Sequence, residues 1–102
     1  ILTPTLNKGT PEVGSRFTLS SDLSLDDWFE AVRAVCPHTP IANMIGVPAI
    51  SVPCAIGPGG LPLGMQFIAP MGGEASLLDI ARQLEDSEPW IDRKPEVCAS
   101  DG

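Results

Sequence analysis

Two nearly continuous apolar runs, residues 49–54 and 63–69, stand out along the chain. They flank a turn-rich stretch, Gly-Pro-Gly-Gly-Leu-Pro, at residues 57–62. Because neither run alternates apolar with polar residues, the pattern predicts two strands of a hairpin that are buried on both faces. A hairpin this apolar needs a cover, which either the helices of this chain or other polypeptide must supply.

The pattern of residues 24–35 predicts an amphipathic helix. Ser24 is placed to cap its free amides, and Asp27 follows three positions later, close to a capping box. The apolar side chains recur at helical spacing and share one face; they are Leu25, Trp28, Phe29 and Val32. The acidic residues of this stretch are interpreted as a solvated helix face rather than as an acid–base pair.

Two further helices are predicted. Residues 39–46 form a very short one, with Thr39 as the cap, Pro40 as the first helical residue and Gly46 as the terminator. Residues 73–84 repeat apolar positions at helical spacing opposite a charged face. Helices and strands together predict an α/β fold.

The ends of the chain are less regular. Residues 1–5 are a short β-prone run that Pro4 restricts to a strand end or edge, and residues 6–21 read as a long surface loop. Trp90 is predicted to pack back on the sheet, and residues 95–102 to form a loose tail.

The chain has 102 residues, which is enough for one domain and too few for two. We interpret residues 1–102 as a single fragment, because the sequence opens on Ile-Leu-Thr-Pro-Thr without an initiator Met or a polar lead-in. The formal net charge of −7 argues against nucleic acid and anionic membrane surfaces as partners. No apolar run approaches the roughly 20 residues that span a bilayer.

Three cysteines, Cys36, Cys54 and Cys98, form an odd set without Cys-x-x-Cys spacing. The set fits neither a disulfide framework nor a zinc site, and it favours a reducing cytoplasm. The sequence implies no metal and no cofactor.

No complete catalytic constellation is visible in the residues themselves. There is no Gly-x-Ser-x-Gly elbow. The only histidine is His38, and we interpret it and nearby Cys36 as a structural or surface pair. Ser51 is expected to be a hydrogen-bonded core hydroxyl.

Two segments nevertheless resemble the late part of the amidase signature family. Residues 37–53 read P-H-T-P-I-A-N-M-I-G-V-P-A-I-S-V-P, and residues 60–70 read G-L-P-L-G-M-Q-F-I-A-P. Members of that family typically read T-x-x-x-N-x-x-G-x-P-A-x-S-x-P, a short turn, and then G-L-P-x-G-x-Q-x-x-G. Residues 74–78 resemble the family's E-x-x-L-L helix, residues 89–90 its frequent P-W, and residues 1–5 its upstream strand ending in P-T.

The resemblance implies a fold and a chemistry. The fold is a large mixed β-sheet flanked by helices, of which this chain would be the C-terminal portion. The chemistry is hydrolysis of carboxamide C–N bonds by a Ser–cis-Ser–Lys triad that lies upstream of the resembling segment. No catalytic residue is therefore assigned here, and neither Lys8 nor Lys94 is taken as the base.

By the same resemblance the loop over residues 39–46 lies near the substrate cleft. Asn43 and Met44 are accordingly predicted to bind substrate. The alternative for Asn43 is a structural amide that bonds backbone at the turn. Gln66 is expected to satisfy buried polar groups rather than touch substrate, and Gly46 to set the backbone geometry.

Three functions stay open. The first is an amidase whose partners are the remainder of the parent chain and a small-molecule amide, with a homo-oligomer possible and with this chain inactive alone. The second is a glutamine-hydrolysing amidotransferase component. The third is a binding or assembly domain that kept the fold and lost the chemistry. The identity of the substrate does not follow from these residues.

Overall fold

A computed structural model describes residues 1–15 and 22–95 of the chain. The predicted tail beyond residue 95 and part of the predicted loop, residues 16–21, lie outside the described residues. In chain order the elements are β1 (Leu2–Pro4), α1 (Leu25–Val35), α2 (Thr39–Ile45), β2 (Ala49–Ile56), a 3₁₀ turn (Pro58–Gly60), β3 (Pro62–Ile68) and α3 (Glu74–Ser87).

The three strands form one sheet in the order β1-β3-β2, and each neighbouring pair is antiparallel. The first and second strands therefore run in the same direction on either side of β3. A 3₁₀ turn closes the hairpin, with Gly59 and Gly60 at φ values of 83° and 76°. Only glycine adopts such values at little cost, which explains the glycine-rich turn. The predicted α/β class and hairpin are confirmed.

The capped helix is also confirmed. The Ser24 hydroxyl accepts a hydrogen bond from the Asp27 backbone N–H at 3.2 Å and donates one to the Asp27 carboxylate at 2.6 Å. The bond from the Asp27 N–H is the cap that was predicted for Ser24, and the second bond joins the two side chains directly. On the apolar side of this helix, Trp28 and Phe29 meet edge to face with ring centroids 5.2 Å apart.

The start of α2 differs from the prediction by one residue. His38, not Thr39, occupies the cap position, and no side chain caps the helix there. The end agrees, because Gly46 adopts a left-handed φ of 71° and its N–H donates to the Ala42 carbonyl at 2.9 Å. The Val47 N–H reaches the same carbonyl at 3.1 Å, so the carbonyl at this helix end is satisfied as the chain turns into β2.

The C-terminal helix α3 packs against β2 and buries Leu77. It runs three residues beyond the predicted end and closes with a bond from the Glu88 N–H to the Leu84 carbonyl at 2.9 Å. Beyond it, Trp90 is half-buried and lines a cavity with Pro53 and Ile56 of β2. This placement agrees with the expectation that Trp90 packs back on the sheet.

The core within this chain is small. Its buried members among the described residues are four apolar side chains and one amide, namely Ala42, Val52, Ile68, Leu77 and Gln66. The accessible surface is 7705 Å², whereas a compact protein of this mass exposes about 5500 Å². Of the two hairpin strands only Val52, Gln66 and Ile68 are buried, so this chain does not by itself cover both faces of the strands.

Candidate functional site

One face of the sheet brings together polar residues from three separate segments. The strand register places Thr3 of β1 and Ser51 of β2 opposite Gln66 of β3, so the three residues form a row across the sheet. One step along, the Thr5 N–H donates to the Gly64 carbonyl at 3.0 Å. Since alternate residues of a strand share a face, Thr5 and Gly64 lie on the same side as this row.

Two hydroxyls meet above the central strand. The side-chain oxygens of Thr5 and Ser51 are 2.5 Å apart and hydrogen-bonded, although their strands are separated by β3. Gly64 makes this contact possible, because a Cβ there would lie 2.8 Å from the Thr5 Oγ1 and 3.2 Å from the Ser51 Oγ. Gly64, the glycine of the G-x-Q motif in β3, therefore lies where the Thr5 and Ser51 hydroxyls meet above the backbone of this strand.

For Ser51, the expected hydrogen bond is present, but the expected burial is not. Its hydroxyl is hydrogen-bonded, as predicted, but its side chain is exposed rather than part of the core. The reason is positional, since the apolar neighbours Ile50 and Val52 point to the opposite face of the strand. In the sequence this alternation of strand faces is hard to recognise, because most residues of the run 49–54 are apolar.

Gln66 joins the sheet to the start of α2. Its side chain is 5% exposed, and its Nε2 donates to the Thr3 hydroxyl at 3.1 Å and to the His38 carbonyl at 3.4 Å. His38 directly precedes α2. The predicted role of Gln66, satisfying buried polar groups, agrees with these bonds, and they also fix the position of that helix relative to the sheet.

The two residues predicted to bind substrate, Asn43 and Met44, lie side by side on α2 and are exposed. Met44 is 78% exposed. Within residues 1–15 and 22–95 the Asn43 amide forms no hydrogen bond. The alternative structural role, an amide that bonds the backbone at the turn, is therefore not seen in this part of the chain, and substrate binding stays a prediction.

The interpretation of Cys36 as structural fits its surroundings. Its thiol donates to the Val32 carbonyl at 3.4 Å, at the C-terminal end of α1. Among the described residues no group of three or more His, Cys, Asp or Glu side chains could hold a metal ion. In the same part of the chain neither hydroxyl of the Thr5–Ser51 pair is hydrogen-bonded to a lysine, so the pair is not itself a Ser–Lys catalytic arrangement.

The family model described as Amidase matches residues 1–78. This chain belongs to the amidase family. The shared region contains the hydroxyl pair, Gln66 and all of α2, so the site described above is built from family segments.

Individual relatives agree with the family. The chain is 40% identical over 90 residues to the putative amidase AmiC of Mycobacterium bovis, covering 88% of this chain and 18% of that protein. It is 36% identical over 95 residues to a glutamyl-tRNA(Gln) amidotransferase subunit of Thermodesulfovibrio yellowstonii, covering 93% and 18%. The solved structure of 6-aminohexanoate cyclic dimer hydrolase superimposes with a TM-score of 0.74 at 34% identity, over 93% of this chain and 20% of that one.

The chain therefore spans about a fifth of the length of the relatives that it matches. In the part of the chain that the structure describes, no helix combines the length and the hydrophobicity that a membrane crossing requires.

Sequence reasoning missed Thr3 and Thr5. The available signal was their period-two spacing around Pro4, which places both hydroxyls on one face of a strand. Their partners could not be read from the sequence, because Gln66 and Ser51 lie 63 and 46 residues away.

Proposed function

We propose that this chain is the C-terminal portion of an enzyme that hydrolyses carboxamides. The observation that carries the proposal is the match of the family segments, in order and in three dimensions, to a solved amide hydrolase at 34% identity. The nucleophile in this proposal belongs to a Ser–cis-Ser–Lys triad in the remainder of the protein, where a base-activated hydroxyl attacks the amide carbonyl. The enzyme acts in the cytoplasm, in keeping with the free thiols of Cys36 and Cys54.

In this proposal the chain contributes a wall of the substrate cleft rather than the reacting groups. Helix α2 presents Asn43 and Met44 to the substrate. A carboxamide has one carbonyl acceptor and N–H donors, and the Asn43 side chain offers the complementary donor and acceptor. Met44 supplies an adaptable apolar contact for the rest of the substrate. Gln66 acts indirectly, because its bond to the His38 carbonyl holds the start of this helix.

A second candidate is the component of an amidotransferase that releases ammonia from glutamine. The 36% identity to a glutamyl-tRNA(Gln) amidotransferase subunit favours it. Such an enzyme works with partner proteins, so copurification of those partners and a strict requirement for glutamine separate it from a stand-alone amidase. A non-catalytic binding domain is the third possibility, and turnover of any carboxamide by the complete protein excludes it.

Replacing Asn43 tests the cleft assignment. In the complete protein, Asn43→Ala removes one substrate hydrogen bond and is expected to lower kcat/KM for a carboxamide by about two- to tenfold, since one such bond contributes roughly 0.5–1.5 kcal/mol. The matched control is Gln83→Ala, which removes an exposed amide from a different helix, α3. Unchanged kinetics for Asn43→Ala would remove Asn43 from the cleft.

The chain by itself is expected to release no ammonia from simple aryl or alkyl amides. Turnover that disappears on mutation of a residue within the chain would place the catalytic machinery here and overturn the proposal.

A further inference from the structure

The segment that follows α3 folds back on itself through two bonds. The Arg93 N–H donates to the Trp90 carbonyl at 2.9 Å, which closes a turn between these residues. The Arg93 guanidinium also donates to the Glu88 carboxylate at 3.2 Å. Because α3 packs against β2, the turn lies beside the hairpin end of that strand. The two bonds therefore hold Trp90, Arg93 and the next residue, Lys94, next to the sheet.

A cavity of about 440 Å³, which we call the Trp90 cavity, lies between this turn and the hairpin. Most of its lining is apolar and includes Trp90, Ile56 and Leu61. Its volume falls within the roughly 300–1,000 Å³ that is usual for small-molecule sites. Ile56 and Leu61 are 51% and 49% exposed, so each still offers apolar surface to a ligand.

An irregularity in β2 brings two side chains to this cavity. The register shifts between Pro53 and Ala55, so β2 carries one extra residue there relative to β3. In a regular strand Pro53 and Ile56 would point to opposite faces, because residues at an odd spacing alternate across the sheet. The bulge removes that offset, and both side chains line the Trp90 cavity.

The charge around the Trp90 cavity is opposite to that of the chain. The sequence has 13 acidic and 6 basic residues, yet Arg93 and Lys94 both line the cavity. Among the described residues no carboxylate lines it, and Glu88, the partner of Arg93, lies outside the lining. Lys94 is exposed and forms no ion pair within the described residues. A cation without a partner beside an apolar cavity favours a ligand with an anionic head and an apolar body.

We propose that the Trp90 cavity binds a small amphiphilic carboxylate, whose apolar chain contacts Trp90, Ile56 and Leu61 and whose carboxylate pairs with Lys94. The site is separate from the proposed substrate cleft. Helix α2 leads into the first residue of β2, whereas Ile56 is the last residue of that strand, roughly 20 Å farther along. The proposal goes beyond the proposed function and does not depend on it.

A series of ligands tests the apolar part of the proposal. The complete protein is titrated calorimetrically with octanoate, with butyrate and with 1-octanol. Octanoate is expected to bind at least about tenfold more tightly than butyrate, because burial of further CH₂ groups in an apolar cavity strengthens binding. Equal affinities would show that the protein recognises the carboxylate alone, and the proposal would then be wrong.

Lys94→Gln tests the charged contact. This variant is expected to weaken octanoate binding by about two- to fivefold, the usual effect of one solvent-exposed ion pair. Binding of 1-octanol should not change, because it carries no charge. Lys8→Gln, which removes an exposed lysine from another loop, is the matched control and should leave both affinities unchanged.

Ile56→Ala tests the apolar wall. Because the side chain is half exposed, the variant is expected to fold, and it should weaken octanoate and 1-octanol alike by about two- to fivefold. The matched control is Ile91→Ala. Ile91 is 74% exposed and does not line the Trp90 cavity, so its replacement should leave both affinities unchanged.

Two outcomes would overturn the proposal. If octanoate binds but neither Lys94→Gln nor Ile56→Ala weakens it, the ligand occupies another site, such as the substrate cleft. If octanoate does not bind at millimolar concentration, the cavity is not open to such a ligand in the complete protein. Carboxamide turnover is measured on the same samples: an active enzyme that does not bind octanoate contradicts the cavity assignment alone, whereas an inactive protein that binds it counts against the proposed function alone.

Discussion

At the scale of single residues, the clearest structural requirement is the absence of a side chain at position 64. The hydroxyls of Thr5 and Ser51 come from opposite sides of the central strand β3, and they meet because Gly64 has no side chain to fill the space between them. This bond links the two outer strands of the sheet directly. A glycine in the middle of a strand ordinarily weakens it, so a close approach of this kind is the physical reason for its presence.

Gly64→Ala is therefore expected to destabilise the complete protein by about 1–3 kcal/mol, the usual effect of forcing a methyl group into filled space. The measurement is the free energy of unfolding from urea denaturation. Gly9→Ala is the matched control, because a Cβ at Gly9 has no heavy atom within 4 Å, and its effect should stay within about 0.5 kcal/mol.

A double substitution identifies the cause. Thr5→Ala removes the hydroxyl that the new methyl group would meet, so Thr5→Ala combined with Gly64→Ala should cost less than the sum of the two single changes. If the losses of stability in the two single variants simply add in the double variant, the effect of Gly64→Ala does not arise from contact with the Thr5 hydroxyl.

How far single residues can be predicted depends on the distance of their partners along the chain. The left-handed Gly46 follows from a local rule of helix termination, and the sequence predicted it. The hydrogen bond of Ser51 was expected, but its exposure and its partner Thr5 were not, because both depend on strand register. Gln66 was assigned through family resemblance rather than through its spacing, and its buried bonds agree.

At the scale of elements, local chemistry sets the helix boundaries more firmly than apolar periodicity does. The Ser24 cap fixes the first residue of α1, and the sequence placed it correctly. The shorter α2 has no side-chain cap, and its predicted start was wrong by one residue. What holds the start of α2 is the bond from Gln66 to the His38 carbonyl, a tertiary contact invisible to sequence rules.

Ser24→Ala tests the contribution of the cap. The substitution leaves the Asp27 N–H without its acceptor and is expected to lower the free energy of unfolding by about 0.5–2 kcal/mol. Urea denaturation of the complete protein measures it. Ser76→Ala, an exposed position within α3, serves as the control and should be neutral or slightly stabilising, because alanine is the better helix former. An equal loss in both variants would mean that the hydroxyl at residue 24 is not acting as a cap.

At the scale of the whole molecule, the described residues form a sheet of three strands with few buried side chains. Its fold class and strand pairing follow from the two apolar runs and the glycine turn between them. The need for a cover was also visible in the sequence, since two runs so uniformly apolar cannot form a stable hairpin in water alone. The sequence did not reveal which face of the sheet and which of its edges stay uncovered. Both depend on the register of the three strands and on the face against which α3 packs.

The isolated chain is expected to associate. It exposes many large apolar side chains, among them Phe29, Ile45, Ile56 and Leu63, and within the described residues its two outer strands each pair with β3 alone. Exposed apolar patches and open strand edges drive proteins together in water. Light scattering at increasing concentration should show a mass above that of the 10.7 kDa monomer. The complete protein at the same concentration of chains is the control and should keep a constant mass, because in the proposed larger enzyme the remaining polypeptide covers those surfaces. A clean monomer of the isolated chain at high concentration would show that the surfaces left open here need no partner.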